Sequence, residues 1–168
     1  MIETTTMDTP VGTVHVGVRD GRLCVLELGD DARFRRRLKR CGESSEPAHS
    51  PASRRIVDAL RRYFAGEVHA VDDIEVDPLG GTDFQRRVWQ ALRSIPAGTT
   101  ISYATLARRI RSPKAVRAVG AANGANPVPI VLPCHRVIGA DGSLTGYGGG
   151  LPTKRWLLEH EGIVLPAR

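Results

Sequence analysis

The stretch Pro127-Val128-Pro129-Ile130-Val131-Leu132-Pro133-Cys134-His135-Arg136-Val137 decides how the second half of this chain is organised. Its three prolines each fix φ near about −65° and lack a backbone N–H, so the segment cannot be a helix interior or a central strand. Because the remaining residues before the cysteine are apolar, we predict a rigid, buried, extended connector. The connector delivers the thiol of Cys134 to one fixed position.

Cys134 has the surroundings of a reactive cysteine. His135, when protonated, and Arg136 are expected to favour the thiolate, which is the nucleophilic form. The alternative is that Cys134 is a small buried hydrophobic residue, as most free cysteines are. On an extended segment neighbouring side chains point to opposite faces, so His135 needs a turn or a bridging water to act on the thiol.

The motif Pro133-Cys134-His135-Arg136-Val137 resembles the active-site signature of the O6-alkylguanine-DNA alkyltransferases. The resemblance covers residues 82–168 and is looser over the N-terminal half. Further blocks carry it in the same order as in that family: Ile101-Ser102-Tyr103, Arg117-Ala118-Val119-Gly120, Asn126-Pro127-Val128-Pro129, Gly146-Tyr147 and His160-Glu161-Gly162.

Size and composition indicate a soluble globular protein of 168 residues, 41% of them hydrophobic. No apolar run reaches the length of a membrane-spanning helix, and the polar, acidic N-terminus does not resemble a signal peptide. We therefore expect a cytoplasmic protein without membrane attachment. Cys24, Cys41 and Cys134 have no CxxC spacing, which argues against disulfides and a zinc site. No metal or cofactor is expected.

Charge is distributed unevenly along the chain, whose net charge is +6. Residues 1–80 hold 12 Lys and Arg against 14 Asp and Glu, a net charge of −2, whereas residues 81–168 hold 12 against 4, a net charge of +8. A concentrated positive half is typical of a surface that binds nucleic acid. A basic face kept for solubility would not explain the asymmetry.

The N-terminal half is predicted to be an α/β domain over residues 1–80. A β-hairpin is expected over residues 11–18 and 23–28, with Asp20-Gly21 as its turn. Asp30-Asp31 opens a short, arginine-rich helix whose cations suggest either a nucleic-acid arm or, as we favour, a solvated face. After a loop at 42–50, Ser50 and Pro51 start a core helix that carries Ile56, Val57, Leu60 and Phe64 and ends at Gly66.

The C-terminal half is predicted to be a second, mainly α domain over residues 81–168. Helices are expected from the capping box at Thr82 to Ile95, from Ser102 to Ile110, from Ser112-Pro113 to about Gly124, and over residues 152–161. The three short helices resemble a helix-turn-helix, and Asp141-Gly142 marks a hairpin that would be its wing. The family resemblance implies a ribonuclease H-like N-terminal domain and a winged helix-turn-helix C-terminal domain.

The third of these helices is poor in large side chains. Small residues permit either close helix packing or close approach to a narrow groove, and Arg117 is the long cation available there. The resemblance implies the second alternative: the helix enters the minor groove of double-stranded DNA, and Arg117 fills the gap left by a flipped nucleotide. The residues expected to contact DNA are Lys114, Arg117, Ala118, Ala121, Ala125 and Arg136.

The resemblance also implies roles for the residues around Cys134. The protein would flip O6-alkylguanine, and also O4-alkylthymine, and transfer the alkyl group irreversibly to Cys134 in a single turnover. Glu161 would raise the basicity of His135, which takes the thiol proton, while Tyr103 would assist the leaving guanine and Asn126 would be a hinge. The substrate pocket would comprise Pro129, Val137, Tyr147, Gly148 and Asn123, with residues 146–150 as a lid. A monomer that clusters on DNA is expected.

Two alternatives remain open from the residues themselves. A cysteine hydrolase using Cys134 and His135 leaves the charge of the second half unexplained, and a DNA-binding regulator without chemistry leaves the rigidly held thiol unexplained. The glycine-rich segment at 146–150 lacks the GK[ST] pattern of a phosphate-binding loop. Vertebrate relatives have serine and methionine where this chain has Gly148 and Asn123, so this pocket is more polar on one wall and lacks one hydroxyl donor.

Overall fold

Residues 12–28 form the β-hairpin that the sequence predicts. In the computed structural model, which describes residues 1–167, strand β2 (Gly12–Arg19) pairs antiparallel with β3 (Arg22–Leu28). Asp20 and Gly21, at the turn, have φ values of 51° and 77°. Two positive φ values are what the right-handed twist of a two-residue hairpin requires.

Two further strands complete this sheet, and the sequence analysis missed both. Strand β1 (Ile2–Thr9) pairs antiparallel with β2, and the short β4 (Ser45–Pro47) pairs parallel with β1, giving the order β3-β2-β1-β4. The expectation of a loop throughout residues 42–50 is therefore wrong. Only Ile2 and Met7 of β1 are buried, so the strand shows no alternating pattern, and β4 is held by its pairing with β1.

Two helices belong to the same unit, which comprises Met1–Gly80. Helix α1 (Asp31–Arg40) is capped by Asp30 and α2 (Pro51–Phe64) by Ser50, as predicted. The core side of α2 differs in detail, because Tyr63 is buried where Phe64 was expected. The unit is α/β, and its ribonuclease H-like relationship stays a prediction.

Three helices of the second unit, which begins at Gly81, pack around a buried tryptophan. Helix α3 (Asp83–Leu92) starts with the predicted capping box, in which Thr82 and Gln85 bond reciprocally. Helices α4 (Tyr103–Arg109) and α5 (Val116–Gly124) follow. Trp89 Nε1 donates to the Ala122 carbonyl at 2.7 Å, which joins α3 to α5.

Three predictions in this unit are wrong, the first of which is that α3 extends to Ile95, because the helix ends at Leu92. Helix α5 begins at Val116 rather than after Ser112, because the Ala115 N–H bonds to the Ser112 carbonyl and closes a separate turn. The segment from Pro127 is buried as predicted but is not extended. Ile130 has a φ of 74°, and Cys134–Arg136 form a 3₁₀ helix. Prolines at 127, 129 and 133 remove donors without preventing turns.

A short parallel pairing joins the two segments that carry the sequence motif. Strand β5 (Ile101–Ser102) pairs parallel with β6 (Val137–Ile138), so Tyr103, directly after β5, lies beside the residues that follow β6. The predicted hairpin at Asp141-Gly142 is wrong. A turn forms there, but no strand follows it within residues 139–150. Helix α6 (Leu151–His160) agrees with the expected last helix within one residue at each end.

We expect Gly81→Ala to destabilise the second unit because Gly81 lies against Trp89. A Cβ at Gly81 would lie 2.5 Å from Cζ3 of the indole, and its φ of 93° disfavours any side chain. The free energy of unfolding should fall by about 3 kcal/mol, as for other overpacked sites with backbone strain. Urea unfolding followed by tryptophan fluorescence measures it, since both tryptophans lie after residue 81.

Gly142→Ala is the matched control for this substitution. Gly142 has a φ of 84° but no neighbour within 4 Å of its built Cβ, so only the backbone cost of about 1 kcal/mol applies. Equal losses from the two substitutions would contradict the proposed clash with Trp89.

Candidate active site

Cys134 begins the 3₁₀ helix and is buried, with 6% of its surface exposed. Its backbone N–H donates to the Leu132 carbonyl at 2.8 Å. Burial raises the pKa of the thiol above its ordinary value, and a hydrogen bond from Asn126 and the charge of Lys154 offset this only in part. The thiol is therefore neutral at rest. The expectation that His135 and Arg136 hold it as a thiolate is contradicted.

His135 is the residue that can accept the proton of this thiol. Its side chain is fully buried, and Nε2 lies 2.9 Å from Glu161 Oε2. Burial lowers the pKa of His135, outweighing the opposing effect of Glu161, so the ring is neutral. Nε2–H then donates to Glu161, which leaves the lone pair on Nδ1. Among the described residues, Nδ1 has no hydrogen-bond partner.

Arg136 is an internal residue and not part of the DNA-binding surface, which corrects the expectation from sequence. Its side chain is 5% exposed; Nε donates to Glu161 Oε1 at 2.8 Å and Nη2 donates to Oε2 at 2.9 Å. Nη1 donates to the Ile95 carbonyl at 2.6 Å. Three of its donors are thus used inside the unit, so the guanidinium holds the carboxylate in a two-point clamp.

Glu161 accepts hydrogen bonds from both His135 and Arg136. Burial alone would raise its pKa, but these hydrogen bonds and the charge of Arg136 outweigh this and hold the pKa well below its usual range. The carboxylate is ionised at neutral pH. It fixes the ring of His135, and it can stabilise the imidazolium that forms when Nδ1 accepts a proton.

Lys154 belongs to the site, although no role in catalysis was predicted for it from the sequence. Its ammonium is fully buried, lies 5.9 Å from the centre of the Tyr103 ring, and donates to the carbonyls of Val137 at 2.7 Å and Thr145 at 2.8 Å. Burial lowers its pKa to about 8. Its spacing to Leu157 and Leu158 on one helix face is the signal that predicts an inward side chain.

Tyr103 and the segment 139–150 lie around the same ammonium. The Tyr103 hydroxyl donates to the Thr145 carbonyl at 3.1 Å, so one carbonyl accepts from both Tyr103 and Lys154. The expected pocket residues differ in exposure: Val137 is buried, Pro129 and Tyr147 are half-buried, and Gly148 is exposed. The anchored carbonyl limits how far the proposed lid segment can move away from β6.

Asn126 and Asn123 lie on either side of the end of α5 and bond to the backbone near Cys134. Asn126 Nδ2 donates to the Leu132 carbonyl at 2.7 Å, and its Oδ1 accepts from the Val128 N–H at 2.9 Å. Asn123 Nδ2 donates to the Cys134 carbonyl at 3.3 Å. Asn126 therefore shapes the turns before the thiol, while Asn123 connects α5 to Cys134 itself.

The outer face of α5 carries the remaining residues that were expected to contact DNA. Arg117, Ala118 and Ala121 are exposed, Ala125 is half-buried, and Lys114 is exposed just before the helix. Their spacing places them along one side of the helix. The opposite side buries Val119, Ala122 and Asn123. The helix thus presents small side chains and one long cation outward, and contacts the site inward.

Among residues 1–167, no group of three His, Cys, Asp or Glu side chains is arranged to hold a metal ion. None of the described helices is both long and apolar enough to cross a membrane.

We expect Glu161→Gln to lower the free energy of unfolding of this unit by about 3 kcal/mol at pH 7, because Arg136 loses its buried partner. Since the folded-state pKa of Glu161 lies below its ordinary value of 4.5, its stabilising contribution is present above that pH and is lost as pH falls below it. Urea unfolding measured across this pH range should therefore show that the free energies of unfolding of wild type and variant become more similar in acid.

Glu159→Gln is the matched control on the same helix. Glu159 pairs with Arg155 at 2.8 Å, but its side chain is 51% exposed, and such surface pairs contribute about 0–1 kcal/mol. If the free energies of unfolding of wild type and Glu161→Gln differ by the same amount at neutral and acid pH, the ionised carboxylate is not the source of the stabilisation.

Comparison with known proteins places this arrangement in a family. Residues 83–163 match the family model described as 6-O-methylguanine DNA methyltransferase, DNA binding domain. A methylated-DNA–protein-cysteine methyltransferase of Mycolicibacterium paratuberculosis is 48% identical over 167 residues, which are 99% of this chain and 96% of that protein. The Salmonella typhimurium protein of the same name is 58% identical over 108 residues, which are 64% of this chain and 63% of that protein.

Solved structures give the same result. The crystal structure of Mycobacterium tuberculosis O6-methylguanine methyltransferase has a TM-score of 0.79 and 43% identity, covering 100% of this chain and 97% of that one. The M. tuberculosis protein in complex with DNA has a TM-score of 0.79 and 44% identity, covering 95% of this chain and 92% of that one. This chain therefore belongs to the methylated-DNA–protein-cysteine methyltransferase family.

Proposed function

We propose that this protein repairs DNA by transferring the alkyl group of O6-alkylguanine to Sγ of its own Cys134. The observation that carries the proposal is a buried, neutral thiol next to a neutral His135, whose Nε2 is held by Glu161 and whose Nδ1 has no partner among the described residues. Relatives of this chain are named for the same transfer, and one was crystallised with DNA.

The proton of the thiol leaves first in this mechanism. His135 Nδ1 accepts it through a bridging water, because side chains of consecutive residues diverge, and Glu161 stabilises the resulting imidazolium. The thiolate attacks the alkyl carbon, an S–C bond forms, and the C–O6 bond breaks with its electron pair going to the guanine. The ammonium of Lys154, whose charge lowers the thiol pKa, favours the thiolate during this step.

The leaving guanine is assisted by Tyr103, whose hydroxyl donates to the ring as negative charge develops. The backbone of Cys134 and Val137 reads the guanine edge, and both carbonyls already have side-chain donors, Asn123 and Lys154 respectively. Pro129, Tyr147 and Gly148 line the pocket. O4-alkylthymine, which presents the same alkyl–oxygen bond, is a second substrate.

DNA binding is assigned to the helix-turn-helix formed by α4 and α5, with α5 entering the minor groove. Its exposed small residues allow a close approach to the groove. The alkylated edge is inaccessible within a stacked duplex, so the nucleotide must be flipped into the pocket. Arg117 is the long exposed cation on this face and occupies the vacated place in the base stack. A monomer suffices, since all these residues belong to one unit, and clustering would occur only on DNA.

The proposal predicts one reaction per protein molecule. A thioether offers water or thiols no good leaving group, so the alkylated cysteine is not regenerated. Incubation with duplex DNA containing O6-methylguanine should therefore add one methyl group, located on Cys134 by intact-mass and peptide analysis. Product should equal the amount of protein.

Cys134→Ser is the control, because a hydroxyl is a far weaker nucleophile at neutral pH. It should bind the DNA and acquire no methyl group. Sustained turnover by the wild-type protein, or methylation at another residue, would contradict the proposal and favour a cysteine hydrolase.

Arg117→Ala should slow repair of duplex DNA at least about tenfold while leaving the reaction with free O6-benzylguanine unchanged. Only the duplex has a base stack to fill after extrusion. Single-turnover rates at saturating DNA measure the difference. Lys114→Ala, which removes an exposed cation just before α5, should weaken DNA affinity and its salt dependence without changing the saturated rate. Equal losses on both substrates in Arg117→Ala would exclude the extrusion role.

A further inference from the structure

Asn123 has a buried polar atom that the fold does not use. The residue is 3% exposed, and its Nδ2 donates to the Cys134 carbonyl, which fixes the amide orientation because Oδ1 would be repelled there. Its Oδ1 has no hydrogen-bond partner among the described residues. Asn126, three residues later, has both ends of its amide bonded. The unpaired acceptor therefore belongs to Asn123 specifically.

The position of this acceptor is set by Cys134. Asn123 lies on the inner side of α5, and its amide is bonded to the backbone of the reactive residue itself. Buried acceptors are nearly always paired, so one left unpaired by the chain beside a reactive residue needs a partner from outside the chain. His135 Nδ1 is another such atom among the described residues, and the proposed proton transfer accounts for it.

We propose that Asn123 is a specificity-determining residue, whose Oδ1 accepts a hydrogen bond from the exocyclic amine at C2 of the extruded purine. The inference rests on the proposed function and identifies the base class that the site prefers. The amine carries two N–H groups, one for a backbone carbonyl and one for Asn123. A purine without this amine leaves Oδ1 unpaired in the closed site, which is how a buried polar group discriminates against an analogue.

The inner and outer faces of α5 then have different tasks. Arg117 and the exposed small residues contact the duplex, whereas Asn123 contacts the base that has left it. O4-alkylthymine has no exocyclic amine and gains nothing from Asn123. The proposal therefore also predicts that Asn123 increases the preference for O6-alkylguanine over O4-alkylthymine.

The test compares two duplexes that contain O6-methylguanine or O6-methylhypoxanthine, which differ only in the amine at C2. The readout is the ratio of single-turnover methyl-transfer rates to Cys134. In Asn123→Leu the ratio should fall about tenfold, as expected for the loss of one hydrogen bond of ordinary strength. In Asn123→Asp, protonated in this buried position, donor and acceptor both remain, so the ratio should be retained.

Val119→Ala is the matched control, because Val119 is fully buried on the same helix but has no polar side-chain atom. It should lower both rates equally and leave the ratio unchanged. If Asn123→Leu does not fold, as judged by circular dichroism, Asn123→Ala provides the same comparison with a smaller side chain.

The outcomes separate this inference from the proposed function. An unchanged ratio in Asn123→Leu or Asn123→Ala, with wild type still methylated on Cys134, would overturn the role of Asn123 and leave alkyl transfer in place. Absence of methylation in wild type would instead contradict the proposed function. An equal loss on both substrates would assign Asn123 a structural role only and would also overturn the inference.

Discussion

The carboxylate of Glu161 is the constraint on which the candidate active site depends. It ends the last helix of the unit, receives both Nε and Nη2 of Arg136, and accepts from His135 Nε2. Arg136 extends the connection to the carbonyl of Ile95, beyond the end of α3. The buried carboxylate thus connects the end of α6 to the 3₁₀ helix and, through Arg136, to the segment after α3. Because the guanidinium of Arg136 and the ring N–H of His135 surround it, its charge is maintained without access to water.

The same interactions determine which chemistry is available. Because Nε2–H of His135 donates to Glu161, the ring is held in the tautomer protonated at Nε2, and only Nδ1 can accept a proton. Arg136 neutralises part of the charge of Glu161, which moderates how strongly the carboxylate raises the basicity of the ring. Burial keeps the thiol protonated, so the nucleophile forms when a substrate is present rather than at rest. Lys154 supplies the nearby positive charge that the motif residues were expected to supply.

The parts of this structure that follow from local chemistry could be predicted from the sequence. Ser50, Thr82 and Ser102 cap the helices that they were expected to cap, and the hairpin turn needs Asp20-Gly21. The missed parts depend on partners distant in sequence. Strand β4 is defined by β1, more than thirty residues earlier, and the predicted wing failed because Val137–Ile138 pair with Ile101–Ser102 instead.

The site shows the same division between local and distant effects. Sequence identified Cys134, His135 and Glu161 through a family motif, but assigned Arg136 to the surface because a charged residue is usually exposed. Its burial depends on Glu161, 25 residues later. The spacing of Lys154 to Leu157 and Leu158 indicates an inward side chain, but its partners, the carbonyls of Val137 and Thr145, are distant in sequence.

The contacts of α5 give a physical reason why DNA binding and chemistry belong to one unit. Its inner side bonds to Trp89 through the Ala122 carbonyl and to the Cys134 carbonyl through Asn123, while its outer side is bare apart from Arg117. A helix held rigidly at both contacts cannot shift on DNA without displacing the thiol. Because the thiol position is fixed relative to the exposed face, the base extruded in the proposed mechanism would meet the nucleophile at one geometry. Preorganisation of this kind lowers the entropic part of the reaction barrier.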